Sequence, residues 1–432
     1  MADDATTVQQ VAPAVGVSGL HYYSGKVDEE PKRELSGREG VKTYREMQND
    51  PIIAASLLVI RLLIRQASWR VQPASRDPAD LAAAVFLRTC KRDMAGPTWE
   101  DFLDDALEML AYGWAAEELV YKHRAGPNDD PALGSMYDDG LVGWSGFAPR
   151  SQDTLEKWHF DERGQWSAMV QRDPNTFKLI TLPRQRLLLF RPKAPKGNPE
   201  GSPIIRGAYV PYYYKTHLTR DEAIGANRQL VGIPHFEVPS TVLNAATTEA
   251  KAALAKYEDM GTQLRLNRQA CVITPSDADE HGNAYYKFKL TQSPGTMQYD
   301  TDKMIARHNR EMAIATLTDV LLTGHEQTGN FSLGGTAGTK TTTLALAICA
   351  YMDGMQDVIN RHAVPSLFAL NPGVQTVKGL PAIVHGTVEA PDLRALAEWL
   401  KMLTMGGVDL TDDATQDHLR KLGGLPQLTP EE

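Results

Sequence analysis

A chain of 432 residues with 42% hydrophobic, 7% aromatic and 23% charged residues has the composition of a globular protein, not of a disordered one, and exceeds what one compact core usually holds. Two or three sub-structures are expected. Forty-five Lys and Arg against 54 Asp and Glu leave a net charge of −9, which excludes a chain-wide basic field that would hold nucleic acid by counterion release. Cys90, Cys271 and Cys349 lie far apart without CxxC spacing, so neither a disulfide framework nor a cysteine zinc site is indicated, and a reducing compartment fits.

The N-terminus, MADDATTVQQVAPAVG, carries acids where a signal peptide has its basic region. Residues 1 to about 38 are polar and without period, and read as an arm that orders only against a partner. From Gly40 to Ala67 apolar residues recur at helical spacing across an Asp50-Pro51 break, predicting two abutting helices. The apolar stretch Ile52 to Ile64 is interrupted by Ser56 and Arg61 and falls short of the roughly 20 residues that span a bilayer, so no membrane span is expected.

A strand at 68–71 precedes helices at 79–94 and 98–113, the second entered by Thr98 with Asp101 three residues on and ended by Gly113. Trp114 to Tyr121 reads as a strand. From Leu141 short apolar runs (142–147, 158–160, 166–170, 178–182, 186–190) separated by turn residues predict a β-rich block. A Pro- and Gly-rich loop over 192–201 leads into a helix from Ile204 to Arg228, which Pro211 should kink.

Strands at 231–238, 271–274 and 285–290 with a helix at 248–258 then form a small α+β module. A second helix follows at about 300–323, where about 24 residues would extend roughly 36 Å. Five glycines fall within 324–338, a loop that tertiary contacts must organise. A long helix over 339–362, with an apolar stripe from Leu344 to Ile359, should stop at Pro365. A strand pair (374–378 with 383–385) and helices at 392–404 and 412–422 complete the chain.

No motif supplies catalysis. In Gly334-Gly-Thr-Ala-Gly-Thr-Lys340, Thr339 separates the Gly and Lys that a phosphate loop needs adjacent, although Lys340 remains an isolated charge at a helix start. His325-Glu326 lacks the second histidine of a zinc helix, since position 329 is Gly. Asp277-Ala-Asp279-Glu280-His281 opens like a calcium loop but has Phe288 at position 12. Gly143-Trp-Ser145-Gly146 lacks the last glycine of a nucleophile elbow. The acids Asp101/Asp104/Asp105 and Asp409/Asp412/Asp413 read first as helix starts and solvated faces. The residues offer no catalytic set, no metal site and no cofactor site.

The order of parts, with Tyr44-Arg-Glu-Met47-Gln-Asn-Asp50-Pro51-Ile52, Tyr112-Gly113-Trp114-Ala-Ala-Glu117, Asn198-Pro199-Glu-Gly201-Ser-Pro203 through Tyr209, Pro211-Tyr212-Tyr213 and Gly232-Ile233-Pro234, resembles the bacteriophage portal proteins, in particular the Mu-like portal family, over about 40–425. Gly207 and His235 depart from the family pattern. The resemblance implies an α+β portal-like fold: a flexible N-terminal arm 1–40, a wing 41–202, stem helices 203–228 and 299–323 around a clip 229–298, a tunnel loop 324–338, a long wing helix 339–363 and a C-terminal helical crown region 364–432.

It further implies a non-enzymatic ring of twelve copies at one capsid vertex, through which double-stranded DNA is packaged and ejected without sequence specificity. The partners implied are the terminase large subunit, a head–tail adaptor or connector, and the major capsid or scaffold protein. The implied location is the virion, with host cytoplasm during assembly. His325, Glu326, Gln327, Asn330, Phe331 and Lys340 would face the channel, and Pro239, Glu258, Asp277, Asp279, Glu280 and His281 would dock terminase or adaptor. The alternatives are a metal-dependent nucleic-acid enzyme of the packaging or replication apparatus, which would need convergent carboxylates, and an adaptor without a channel.

Overall fold

The computed structural model describes residues 16–130, 133–231, 233–238, 247–265, 287–291, 300–319 and 336–386. The chain divides into two compact units, Met1–Arg206 with Ala315–Glu432, and Gly207–Ile314.

The first unit opens with a small antiparallel hairpin, β1 (Tyr22–Tyr23) and β2 (Lys26–Val27). The Tyr22 ring stacks on Phe160 at 3.9 Å, and the Gly25 carbonyl accepts from the Trp158 backbone N–H at 2.8 Å. Arg206 grips Glu30 with two nitrogens at 2.9 and 2.7 Å. Residues 16–38, expected within an arm that orders only against a partner, therefore seat on their own chain.

Helices α1 (Gly37–Met47) and α2 (Pro51–Gln66) meet at 91°, as the Asp50-Pro51 break predicts. Asp50 caps α2 by accepting from the Ile52 N–H at 2.9 Å, while Pro51 sits where a missing N–H breaks no bond. Ile53, Leu57, Ile60 and Ile64 bury one face of α2. Among the described residues no single helix is long and apolar enough to cross a membrane.

Strand β3 (Trp69–Gln72) leads to α3 (Pro78–Arg92) and α4 (Trp99–Ala106). A reciprocal capping box between Thr98 and Asp101 starts α4, as the local sequence indicates. The short α5 (Met109–Tyr112) ends at Gly113, whose φ of 89° is a left-handed conformation that costs glycine little. Two antiparallel sheets follow. In one, β5 (Asp138–Arg150), β4 (Ala115–Ala125) and β9 (Leu187–Phe190) lie in that order; in the other, β6 (Leu155–Phe160), β7 (Trp166–Arg172) and β8 (Leu179–Pro183).

Trp114, Trp158, Trp166, Met169, Leu182, Leu187 and Leu189 form a shared core. The Trp158 ring meets Trp114 and Trp166 edge-on at 5.4 and 5.8 Å, a favoured arrangement for aromatic quadrupoles. A second aromatic group, Trp99, Phe102, Phe147 and Phe190, joins α4 to the first sheet.

The second unit begins with α6 (Tyr209–Val231) and continues through β10 (Ile233–Glu237), α7 (Thr248–Arg265), β11 (Lys287–Thr291) and α8 (Thr301–Ala315). β10 and β11 pair antiparallel from Ile233 opposite Thr291, and Phe236 meets Tyr257 of α7 at 5.4 Å. Thr301 donates to Glu222 at 2.6 Å and Tyr214 stacks on His308 at 6.1 Å, which sets α8 against α6. A 3-10 segment over Ile204–Ala208 precedes α6, so Pro211 falls in the first turn of the α-helix, where its absent N–H breaks no ladder bond. α7 runs past the expected end at Glu258, and α8 stops at Ala315, short of 323. The expected strand 271–274 lies outside the described residues.

The chain then returns to the first unit. Buried hydroxyls of Thr316 and Thr318 bond Ser56 of α2 at 3.1 and 2.6 Å. Helix α9 (Thr336–Val358) buries Leu344, Ile348, Met352 and Met355, the predicted stripe. Pro365 does not stop it. A widened π turn over Ile359–Ala363 carries the chain into α10 (Val364–Ala369), and Pro365 takes the first turn of that helix. The predicted pairing of 374–378 with 383–385 is also replaced. β12 (Ala382–His385) pairs antiparallel with β3, and the Val377 N–H and Lys378 N–H donate instead to Asp80 at 2.7 and 3.2 Å. The sequence could not show this, because a strand's partner is set by long-range packing and not by its neighbours.

Candidate functional site

Of the residues expected to face a channel, His325, Glu326, Gln327, Asn330 and Phe331 lie outside the described residues, and Lys340 belongs to the opening turns of α9. Gly338, expected as the end of the Gly-rich loop, is also helical. Of those expected to dock a partner, Pro239, Asp277, Asp279, Glu280 and His281 lie outside the described residues, and Glu258 is exposed on α7. Glu258 and Lys340 fall in different compact units.

Residues 198–203 form a tight junction at the end of the first unit's leading segment. Asn198 folds the Asn198–Gly201 loop on itself, its Oδ1 accepting from the Glu200 N–H at 2.8 Å and its carbonyl accepting from Arg191 at 2.9 Å. The loop lies against the end of α5. A side chain on Gly113 would meet the Glu200 carbonyl at 2.7 Å and Pro203 Cδ at 2.8 Å, and one on Gly201, at φ 58°, would run into the Gly113 carbonyl. Two left-handed glycines thus lock two segments far apart in sequence.

Glu200 itself accepts from the Trp158 indole N–H at 3.2 Å. Burial pushes its carboxyl up to about 7, and the single indole bond opposes the shift only in part. The motif Asn-Pro-Glu-Gly is plain in the sequence, but nothing local to it signals a perturbed acid: the apolar surroundings come from Trp158, in another strand.

Several other ionisable groups are buried within the fold. Lys122 faces Asp93 at 3.4 Å, and Asp93 also accepts from Ser135 at 2.6 Å and the Met136 N–H at 2.7 Å. Arg124 pairs with Asp139 at 2.8 Å and lies over the Tyr137 ring at 4.2 Å. Burial pushes the carboxyl of Glu117, on β4, well above its ordinary value, and the charge of Asp105 adds to the shift. Of the acids on α4, Asp101 closes the capping box and Asp104 pairs with Arg65 at 2.9 Å.

Ser145 lies mid-strand in β5, its carbonyl accepting from the Ala95 and Gly96 N–H groups at 2.9 and 3.1 Å, not at an exposed elbow. The Cys90 thiol, pushed up to about 11 by burial, is no nucleophile. Among the described residues no group of three or more His, Cys, Asp or Glu side chains converges on a metal position. The arrangement is suited to holding shape.

Comparison with known proteins gives the fold and the family. A chain from the neck of an empty gene transfer agent particle, computed with C6 symmetry, is 13% identical, with 92% of this chain and 95% of that chain covered and a TM-score of 0.50. A chain from the virion of the native gene transfer agent particle is 12% identical over 92% and 95% of the two chains, with a TM-score of 0.49. At such identity the first likeness speaks for the fold alone, a mixed helix and strand architecture similar to that of a particle neck. The family model described as the portal protein of Mu bacteriophage matches residues 41–423, nearly the whole chain, and so this protein belongs to the Mu portal family.

Proposed function

We propose that the chain is the subunit of a twelve-membered ring at one vertex of a phage-type capsid, forming the channel for genome packaging and ejection and the platform for terminase and head–tail connector proteins. The match of the portal family over 41–423 carries the reading. The C6 symmetry named for the gene transfer agent neck is compatible with a ring of six or twelve.

The described elements suit the roles. Helices α6 and α8 bracket the module of β10, α7 and β11 within one compact unit, as expected of a stem (203–228 and 299–323) carrying a clip (229–298). In this reading the wing is 41–202 together with the long helix 339–363, the tunnel loop is 324–338, whose last three residues already belong to α9, and the crown region is 364–432. In this reading His325, Glu326, Gln327, Asn330, Phe331 and Lys340 contact DNA. Pro239, Glu258, Asp277, Asp279, Glu280 and His281 meet terminase or adaptor, and the assembly also contacts the major capsid or scaffold protein.

The role is structural. A net charge of −9 per subunit gives a wall that repels the phosphate backbone, so DNA slides instead of being held by counterion release. Native mass spectrometry with negative-stain imaging tests the proposal. The expected species is a ring with a central hole at about 571 kDa, twelve subunits of 47.6 kDa. A stable monomer that cleaves plasmid DNA with a divalent metal would overturn it.

A further inference from the structure

A cleft of about 670 Å³ opens beside β3, with Arg70, Arg88, Lys91 and Arg92 in its lining against one carboxylate, Glu100. Four cations in one cleft stand out on a chain of net charge −9. Arg70, Arg88 and Arg92 are exposed and have no ion-pair partner among the described residues. Lys91 is held in place, its Nζ donating to the Trp69 carbonyl at 2.9 Å and lying 4.5 Å from the Trp99 ring centre.

The backbone at this cleft is incompletely bonded. The Gly386 N–H donates to the Ser68 carbonyl at 2.8 Å, and the register sets Trp69 opposite His385 and Val71 opposite Ile383. In an antiparallel pair the bonded and non-bonded positions alternate, so Trp69 and Val71 turn their N–H and C=O groups away from β12.

On the far side of β12 the equivalent groups are satisfied. The Ile383 N–H and carbonyl both bond Asn360 at 2.8 Å, and the His385 N–H donates to Gln356 at 3.1 Å. On the far side of β3 no strand lies among the described residues, and Lys91 serves only the Trp69 carbonyl. Val71 lines the cleft and is buried, and the indole N–H groups of Trp69 and Trp99, which line it too, are buried without a partner. An unpaired strand edge facing a cleft is a ready template for pairing with another chain.

We propose that this cleft docks an acidic, extended peptide segment of a partner protein, which adds as a strand to the free edge of β3 and sets its carboxylates against Arg70, Arg88 and Arg92. Strand addition is the mode that supplies donors and acceptors together, as the Val71 N–H and C=O require. A nucleic-acid backbone offers phosphate acceptors and no donor for the Val71 carbonyl, so the edge selects a peptide. Pro73, at the next outward position, has no N–H, which limits the site to a short segment.

The test titrates the full-length protein with a fluorescein-labelled eight-residue peptide alternating glutamate and valine, its lysine-for-glutamate counterpart, and a 20-bp DNA duplex. Anisotropy reports affinity and hydrogen exchange reports the edge amides. The acidic peptide is expected to bind and the lysine peptide not. Arg88→Glu with Arg92→Glu, both at exposed positions, is expected to weaken binding by about tenfold or more, and the Trp69 and Val71 amides to exchange more slowly in the complex. Equal binding of the two peptides, no binding of the acidic one, unchanged affinity of the double variant, or unaltered Trp69 and Val71 exchange would each overturn the proposal. Tighter binding of the duplex through the same arginines would replace it with a nucleic-acid site.

Discussion

Glu200 is an acid that the fold prefers to keep neutral, and its effect on stability has a definite sign. Below its ordinary value of 4.5 both folded and unfolded chains hold the proton. Between 4.5 and about 7 only the folded chain does, so stability falls as pH rises through that window and is flat above it, by up to about 3 kcal/mol in all. Glu200→Gln keeps an acceptor for the Trp158 indole and removes the titration. Urea midpoints at pH 5 and pH 8 should therefore differ less in the variant than in the wild type, and equal differences would refute the assignment.

The neighbouring Gly113 makes a separate prediction. Gly113→Ala forces a left-handed alanine against the Glu200 carbonyl and Pro203, a strain and overpacking of about 2–4 kcal/mol, read as a lower urea midpoint. Gly113 was legible from the sequence as a helix stop. Its second task, lying flush against Gly201, was not, because the contact joins residues whose proximity only the folded sheets create.

At the scale of elements, the legible parts were those with local causes. The Asp50 cap, the Thr98–Asp101 box and the α9 stripe each arise from side chains within one or two turns. Thr98→Ala removes one half of the box and should lower stability by about 1 kcal/mol, measured by thermal or urea unfolding. The illegible parts had distant causes. Pro365 reads locally as a stop, and only the widened turn over Ile359–Ala363 shows how the helix passes it. β12 reads locally as half of a hairpin, yet Asp80 takes the amides of the expected partner segment and β3 takes the strand. The same distance hid the acid at Glu200 and the cation-lined cleft, whose residues come from β3, α3 and α4.

For the molecule as a whole, the portal reading separates assembly from passage. The ring would be built by the compact units, while the segment 326–336 would act on DNA inside the channel. Deleting 326–336 should leave the ring mass at twelve subunits while lowering the amount of DNA packaged or retained. Loss of folding on that deletion would make the segment part of the core instead. The family is legible at this scale because the order of parts survives even where single motifs are loose.

The pairing of β12 with β3 joins the chain's residues 69–72 to residues 382–385, about 310 residues later. At a synthesis rate of about 5–20 residues per second, roughly 15–60 s separate the emergence of the two strands from the ribosome. During that interval β3 has neither edge covered, and the Asp80 carboxylate lacks the amides of Val377 and Lys378. The nascent chain therefore cannot finish its first unit until β12 has been made, and in the portal reading subunits still in synthesis would be poor substrates for ring closure. Timing of this kind would keep half-made subunits out of a ring that, in that reading, has to close before DNA can pass.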